Sequence, residues 1–366
     1  MADNIIDIDD RRGFRDRIRL AKWAYSTRRV VRDEAWTLTT QKQCPQPGDL
    51  ALTTITRIGH HKRLELRDGR RAHLFAGEDV VVVYGNRYAP DQFEAIIPDQ
   101  LVPCHLVAAG GIASQMVFKH DAVRNPTQLT PVGLISDTSG RIVNLRDFAL
   151  PPMAMIDRRP PVIAVAGSSM NAGKTTAAAG LIRGLTLAGL RVNAGKATGT
   201  GAGCDIWHFK DAGAKRVMDF LDTGHPSTYL LPPSQVKRNF LTLLSHLSEA
   251  GTDIIVIEIA DGLYQSETAA LIASNTFARH VDAVVFAALD PLSGVHGVAR
   301  LRSWGVKTVA VSGVVTRSPL SMRELQDAID LPILGREVLQ SPIIDEYARE
   351  WLGHPAASRA TEGGRQ

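Results

Sequence analysis

The chain has 366 residues, 44% of them apolar and 22% charged, with a formal net charge of +4. That balance excludes a disordered or fibrous chain, and the length predicts two or three domains that each bury a core. The mild positive charge suits an anionic ligand as well as it suits nucleic acid. Cys44, Cys104 and Cys204 lie far apart and show no metal-ligand spacing, and Met1 is followed by acidic residues and no apolar secretion segment. A cytoplasmic location is therefore expected, with no membrane span.

The first 147 residues are predicted to hold a basic helix and a small β-rich domain. Residues 11–32 carry nine Arg and Lys side chains, and within them Phe14, Ile18, Ala21 and Tyr25 recur at helical spacing. An amphipathic helix docking one face on a neighbour is the expected structure; a patch for an anionic partner is the functional alternative. From Gly48 the apolar period becomes two, which predicts strands at 50–58, 63–66, 72–75 and 80–84, with a tight turn at Asp68-Gly69. Gly110 and Gly111, in the segment 106–112, permit close backbone approach, and 131–134 with 141–145 resembles a hairpin. Together these suggest a barrel or a sandwich. His60-His61-Lys62-Arg63 reads as a solvated turn, with a basic binding loop as the alternative. A Pro-rich stretch, 148–160, is the expected linker.

The strongest signal follows at 162–176, VIAVAGSSMNAGKTT. A buried strand, a loop of small residues, Lys-Thr and a helix are the context in which backbone N–H groups surround a polyphosphate. Gly167, Ser168, Asn171, Ala172, Gly173, Lys174, Thr175 and Thr176 are the candidate nucleotide-binding residues. Lys174 is expected on the β and γ phosphates, and Thr175 on Mg²⁺.

The rest of the region 161–352 reads as a nucleotide-binding α/β fold with a mostly parallel sheet. A strand at 190–194 runs into a loop with four glycines between 195 and 203, which contains Lys196, a candidate for phosphate or substrate. Asp205 follows as a candidate holder of Mg²⁺ or its waters, and His208 as either a general base or a packed or surface histidine; a helical start is expected at Ala212. The segment 253–260, DIIVIEIA, predicts a central parallel strand. Glu258 breaks its apolar run, where an unpaired charge would be costly, so Glu258 or its rival Asp261 is expected to work through Mg²⁺. Further strands are predicted at 218–220, 282–289, 306–315 and 331–335, with helices at 234–250, 321–329 and 343–352. Thr316 and Arg317, at a strand end near one edge, are candidate base contacts, and 353–366 is expected to be a flexible tail.

Five residues separate Gly167 from Gly173, a longer loop that resembles that of the dethiobiotin synthetase, MinD and cobyric acid synthase group of P-loop proteins. The run Gly195-Lys196-Ala197-Thr198-Gly199 is similar to the Lys-Pro-x-x-Ser-Gly segment of dethiobiotin synthetase, with alanine in place of proline. Residues 256–263 resemble its metal-binding glutamate segment, with Asp261 in place of a glycine. The resemblance implies Lys174 and Thr175 on phosphate and Mg²⁺, Lys196 on the transferred group, and Asp205 and Glu258 on the metal. The run at 211–214 is closer to the MobB proteins, and the whole region looks like a two-domain P-loop family linked in part to N-acetylation of D-glutamate. The function expected is ATP- and Mg²⁺-dependent phosphoryl transfer, of kinase or ligase type, to a small anionic metabolite. Lys174, Lys196, Glu258 and Asp205 form its catalytic set. The alternatives are a nucleotide-switched assembly protein and a coenzyme A-dependent N-acyltransferase. A homodimer is implied by the resemblance, and a nucleic-acid partner is not expected.

Overall fold

The computed structural model describes residues 8–39, 43–153 and 159–353. Most of the expected tail, and residues 154–158 of the expected linker, lie outside them. Helix α1 (Ile8–Leu20) precedes five long strands: β1 (Leu50–Arg57), β2 (Asp79–Tyr84), β3 (Cys104–Ala108), β4 (Ile112–Lys119) and β5 (Thr127–Ser136). Strand β1 pairs with β2 and β5, β5 with β3, and β3 with β4. A parallel pairing of β4 with β2 closes these strands into a ring, which removes the exposed edges an open sheet would present. A short hairpin of Arg87–Tyr88 and Phe93–Ile96 extends from β4.

Strand β2 shows why its run DVVVVY is almost continuously apolar. Val80, Val82 and Tyr84 pack in one core with Ile55, Leu106 and Leu129. Val81 and Val83 pack in another with Trp23, Trp36, Phe220 and Leu221. The second core therefore joins the barrel to residues of the C-terminal region.

The expected helix through Ala21 and Tyr25 stops earlier. After Leu20 the chain extends, Lys22–Trp23 pairs in parallel with β2, and Tyr25 enters a 3₁₀ turn. Backbone pairing along the β2 edge wins over helical periodicity there, and the Trp23 indole donates to the Ile18 carbonyl at 3.0 Å to fix the turn. The expected strand at 141–145 is also absent: Ile142 makes one bridge to Ser136, and Asn144 caps a 3₁₀ turn at Leu145–Phe148.

The C-terminal region is an α/β fold with a parallel six-stranded sheet. Its strands are β6 (Val162–Gly167), β7 (Val192–Lys196), β8 (Val217–Asp219), β9 (Ile254–Glu258), β10 (Ala283–Ala287) and β11 (Thr308–Ser312), in the order β8-β7-β9-β6-β10-β11. Helices α2 (Lys174–Leu187), α3 (Cys204–Asp211) and, near the end, Ile344–Leu352 cover one face. Helices α4 (Pro233–Leu247), α5 (Ser266–Ile272) and α6 (Pro291–Ser303) cover the other. Each central strand is thus buried on both sides, which accounts for its unbroken apolar run. Two expectations fail here. Asp205 lies in the first turn of α3, and Ala212 and Gly213 end that helix instead of starting one. Residues 331–335 form no strand but a single bridge from Ile333 to Val311, because Pro332 has no N–H to extend a ladder. No helix among the described residues is long and apolar enough to cross a membrane.

The two regions are locked together by charge and close contact. Arg28 donates to Asp219 at 2.7 Å and to Asp222 at 2.8 Å, all three being largely buried. Glu65 accepts from the Gly203 amide at 2.8 Å and from the Trp207 indole at 3.1 Å. A Cβ on Gly110 would lie 2.1 Å from the Gly201 carbonyl oxygen, so this crossing requires glycine. Part of the basic stretch read from the sequence is therefore spent inside the molecule. Arg28→Ala leaves the buried Asp219 without its ion-pair partner and Asp222 with Arg29 alone at 3.4 Å, and should lower the unfolding free energy by about 3–5 kcal/mol. Arg17→Ala breaks the half-exposed pair with Asp79 and one hydrogen bond to the Thr54 hydroxyl and should cost about 1 kcal/mol in the same urea titration.

Candidate functional site

The glycine loop leaves the sheet at Gly167. Its Ser168 amide donates to the Ala287 carbonyl at 2.9 Å, so that N–H is committed to the sheet and not offered to a ligand. The loop turns through left-handed conformations at Asn171 (φ 65°) and Gly173 (φ 94°), the latter at the N-cap of α2. Lys174 opens that helix and folds back over the loop. A Cβ on Gly167 would sit 2.7 Å from the Lys174 Cγ, and the ammonium donates to the Ser169 carbonyl at 2.7 Å. Gly167 is thus required by the path of the lysine. Lys174 is 6% exposed, and burial lowers its pKa while Glu258 and Asp261 oppose that shift.

Glu258 ends β9 beside both β6 and β7, in register with Val165 and Lys196. Its carboxylate is 1% exposed. It accepts from the Thr175 hydroxyl at 3.1 and 3.2 Å and lies 3.8 Å from the Lys196 ammonium. Burial pushes its pKa up, with Lys196 as the main opposing charge. Lys196 is also ion-paired to Asp205 from α3. Burial would raise the Asp205 pKa, but Lys196 holds it below the usual carboxylate range. Asp261 enters from the next turn with φ 62° and lines the same cavity. The four residues expected to be catalytic therefore converge on one cluster of charges, through two strand ends and the first turns of α2 and α3. His208 is solvent-exposed on α3 and is not part of the cavity wall among the described residues, which removes it as a general base.

The donor set at Thr175 and Glu258 is a hydroxyl and a carboxylate, the oxygen ligands that Mg²⁺ takes. Among the described residues no group of three or more His, Cys, Asp or Glu forms a metal cage. Mg²⁺ characteristically uses one or two carboxylates and draws its other ligands from phosphates and water. The residues fit that ion. For Asp205 to join them, Lys196 must release it.

Two cavities meet at the loop, with Gly173, Thr176, Val314 and Arg317 in the walls of both. One, of about 550 Å³, runs along α2 and the segment after β11; Thr316 and Arg317 line it together with Gly313 and Gly335. The other, of about 670 Å³, lies between the loop and the barrel. Its far wall was not legible in the sequence as a site: it comprises His61, Arg71, Arg87, Asp91 and Gln92. The Asn171 side chain donates to Asp91 at 2.9 Å and ties the loop to the barrel hairpin. The segment at 60–63 is therefore not simply a solvated turn: His61 is largely enclosed, its Nε2 3.1 Å from the Val107 carbonyl. The available sequence signals were this basic cluster and the turn at 85–87, neither of which points to a glycine loop nearly a hundred residues on.

No protein-family model matches the chain, and no curated protein matches it. Among solved structures it is similar to the signal recognition particle receptor FtsY of Elizabethkingia anophelis in complex with GDP, with 18% identity, TM-score 0.34, 53% of this chain and 66% of that chain covered. It is also similar to the septum site-determining protein MinD of Pyrococcus horikoshii complexed with Mg-ADP, with 15% identity, TM-score 0.33, and 53% and 86% covered. The chloroplast FtsY of Physcomitrella patens is 15% identical, with TM-score 0.32 and 52% and 62% covered. These likenesses are loose and partial.

Burial, reinforced by Arg87, pushes the His61 pKa down to about 3. The unfolded chain takes up this proton near pH 6.5, before the folded protein does, so His61 costs stability as pH falls through that window. Wild-type protein should therefore lose more unfolding free energy than His61→Gln between about pH 7 and about pH 5, measured by urea denaturation. An NMR titration should show the His61 ring still neutral at about pH 5 in the folded state.

Proposed function

We propose that the chain is an ATP- and Mg²⁺-dependent enzyme that transfers a phosphoryl group to a small anionic metabolite, as a kinase or as a ligase working through an acyl phosphate. The observation that carries this reading is the half-open cavity between the glycine loop and the barrel, with Lys174 and Lys196 on one wall and Arg71 and Arg87 on the other. Such a chamber suits a small molecule held against a nucleotide. The elongated second cavity offers space for the ribose and base, with Thr316 and Arg317 at its wall.

On this reading the amides of the loop beyond Ser168 face the phosphates together with the N-terminus of α2. Lys174 exchanges the Ser169 carbonyl for the β and γ phosphate oxygens. Thr175 and Glu258 would hold Mg²⁺, which when bound would supply positive charge against that of the transferred group. Cation binding keeps Glu258 ionised in spite of its burial. Lys196, positioned by Asp205, orients the acceptor and stabilises charge on the moving phosphoryl group. The barrel walls one side of this site. A homodimer and a cytoplasmic location belong to the same proposal.

A second reading, a nucleotide-operated switch, is favoured by one contact. The Asn171–Asp91 hydrogen bond couples the loop directly to the barrel, so a change at the phosphates could be passed to it.

³¹P NMR with ATP, Mg²⁺ and pooled carboxylate, amine and sugar metabolites tests the proposal. The expected result is metabolite-dependent ADP formation with a new phosphorus resonance or an amide product, lost in Lys174→Ala. Slow ATP loss indifferent to every metabolite supports the switch. Thiol release from acetyl-coenzyme A without ATP consumption supports an acyltransferase. Glu258→Gln should retain nucleotide binding, read by fluorescence of a nucleotide analogue, and should lower Mg²⁺-dependent turnover by about a hundredfold or more.

A further inference from the structure

Arg87 is the least satisfied charge on the barrel side of the cavity. It is 7% exposed, and its guanidinium carries five N–H donors and no acceptor. One of them has a proper acceptor, Gln92 Oε1 at 2.9 Å. Its Nη1 faces His61 Nε2 at 3.3 Å. That nitrogen is 3.1 Å from the Val107 carbonyl, which can only accept, so the imidazole proton sits on Nε2 and this nitrogen has no lone pair for Arg87. Nε is buried with no hydrogen-bond partner. No carboxylate among the described residues is within ion-pair distance, and Asp91 and Asp261 act only as more distant charges. Burial accordingly pulls the guanidinium down to about 10.

Structural arginines in this molecule look different. Arg28 is largely buried but has two carboxylates on it, and Arg17 has Asp79 and Thr54. A buried guanidinium without a counter-ion is strongly unfavourable unless a ligand supplies one. Arg87 is held in place for such a ligand. It comes from a short strand paired in register with Ala95, and it lies beside the Phe93 ring at 5.9 Å. It lines the same cavity as Lys174, Lys196 and Arg71. Planar donors of this kind match the two oxygens of a carboxylate or phosphate.

We propose that Arg87 is the substrate-binding residue of the barrel, taking the carboxylate or phosphate group of the acceptor and holding its other end toward the phosphate loop. This rests on the reading of the cavity as an acceptor site. It makes the barrel the specificity half of the molecule, and it assigns to the acceptor an anionic group distinct from the atom that receives the phosphoryl group. Arg71, on the same wall beside Cys204, is placed to take part in the same anion's recognition.

The test uses full-length protein with succinate and inorganic phosphate as separate probes, in the presence of Mg·ADP so that the nucleotide site is filled. Binding is read by calorimetry and by the ¹⁵Nε resonance of Arg87. Wild type should bind at least one probe with a shift of that resonance, and Arg87→Gln should weaken this binding by about tenfold or more while Mg·ADP affinity changes less than threefold. Preference for succinate or for phosphate tells which anion the acceptor carries. In Lys174→Ala, probed without nucleotide, anion binding at Arg87 should persist. Its persistence where wild type fails to bind ATP would overturn the nucleotide reading alone.

Stability gives an independent readout. An arginine kept for a ligand is a burden on the empty protein, so Arg87→Met and Arg87→Gln should unfold at the same or higher urea concentration than wild type. Unchanged anion binding in both variants would overturn the proposal. So would equal losses of anion and Mg·ADP binding, which would place Arg87 on the nucleotide, or a large drop in the unfolding midpoint, which would make it structural.

Discussion

A carboxylate placed at the end of a central parallel strand, with apolar neighbours on both faces, is among the most expensive side chains a sheet can hold. Glu258 is tolerated there because a hydroxyl and an ammonium reach it from two elements, Thr175 from the helix after β6 and Lys196 from the end of β7, while the nearby charge of Lys174 adds to the balance. Those contacts fix the relative height of three strands and the first turn of α2. Asp205 then partners Lys196, which positions the start of α3. The charge cluster is thus a structural keystone as well as a site. It lies at the carboxyl edge of the sheet, where the loops diverge and a ligand can enter.

The barrel completes what the sheet leaves open. Strand β2 is buried on both faces, and its outward valines share a core with Phe220 and Leu221 of the α/β region. Arg28, Glu65 and the Gly110–Gly201 crossing add directional contacts that such a core alone lacks. The two halves are therefore packed as parts of one body, and the hairpin carrying Arg87 and Asp91 is held against the loop by Asn171. A rigid wall of this kind presents its donors already oriented, so less ordering is required when a ligand arrives.

How much of this the sequence disclosed follows from how local each feature is. The glycine loop and Lys174 were readable because strand, loop and helix are contiguous and each residue type has a steric or electrostatic reason. Glu258 was readable because one carboxylate interrupts an apolar run. The alternation in β1 and the double-sided apolar run of β2 placed the strands within a residue or two. Features that depend on remote partners were not readable. Tyr25 continues a helical spacing, yet the edge of β2 captured the chain before it. Residues 331–335 have strand composition, yet Pro332 limits their pairing to one bridge. His61 and Arg87 became part of a site only when the barrel closed over a loop far along the chain. Periodicity reports which face of an element is buried, and says nothing of what lies across a cavity.

The distribution of satisfied and unsatisfied charge separates architecture from recognition. Arg28, Arg17 and Lys196 each meet carboxylates within the protein, and their positions are explained by the fold. Arg87, only 7% exposed, meets one amide oxygen. Folding alone gives no reason to keep a guanidinium there, since an apolar side chain would fill the space beside Phe93 at lower cost. The two lysines on the sheet side have internal acceptors that can be exchanged, a backbone carbonyl for Lys174 and a carboxylate for Lys196, while the arginine on the barrel side has no anion to exchange. That asymmetry assigns different work to the two walls. The sheet can hold a charge cluster alone and release part of it to phosphates, whereas the barrel waits for an anion that only a ligand brings.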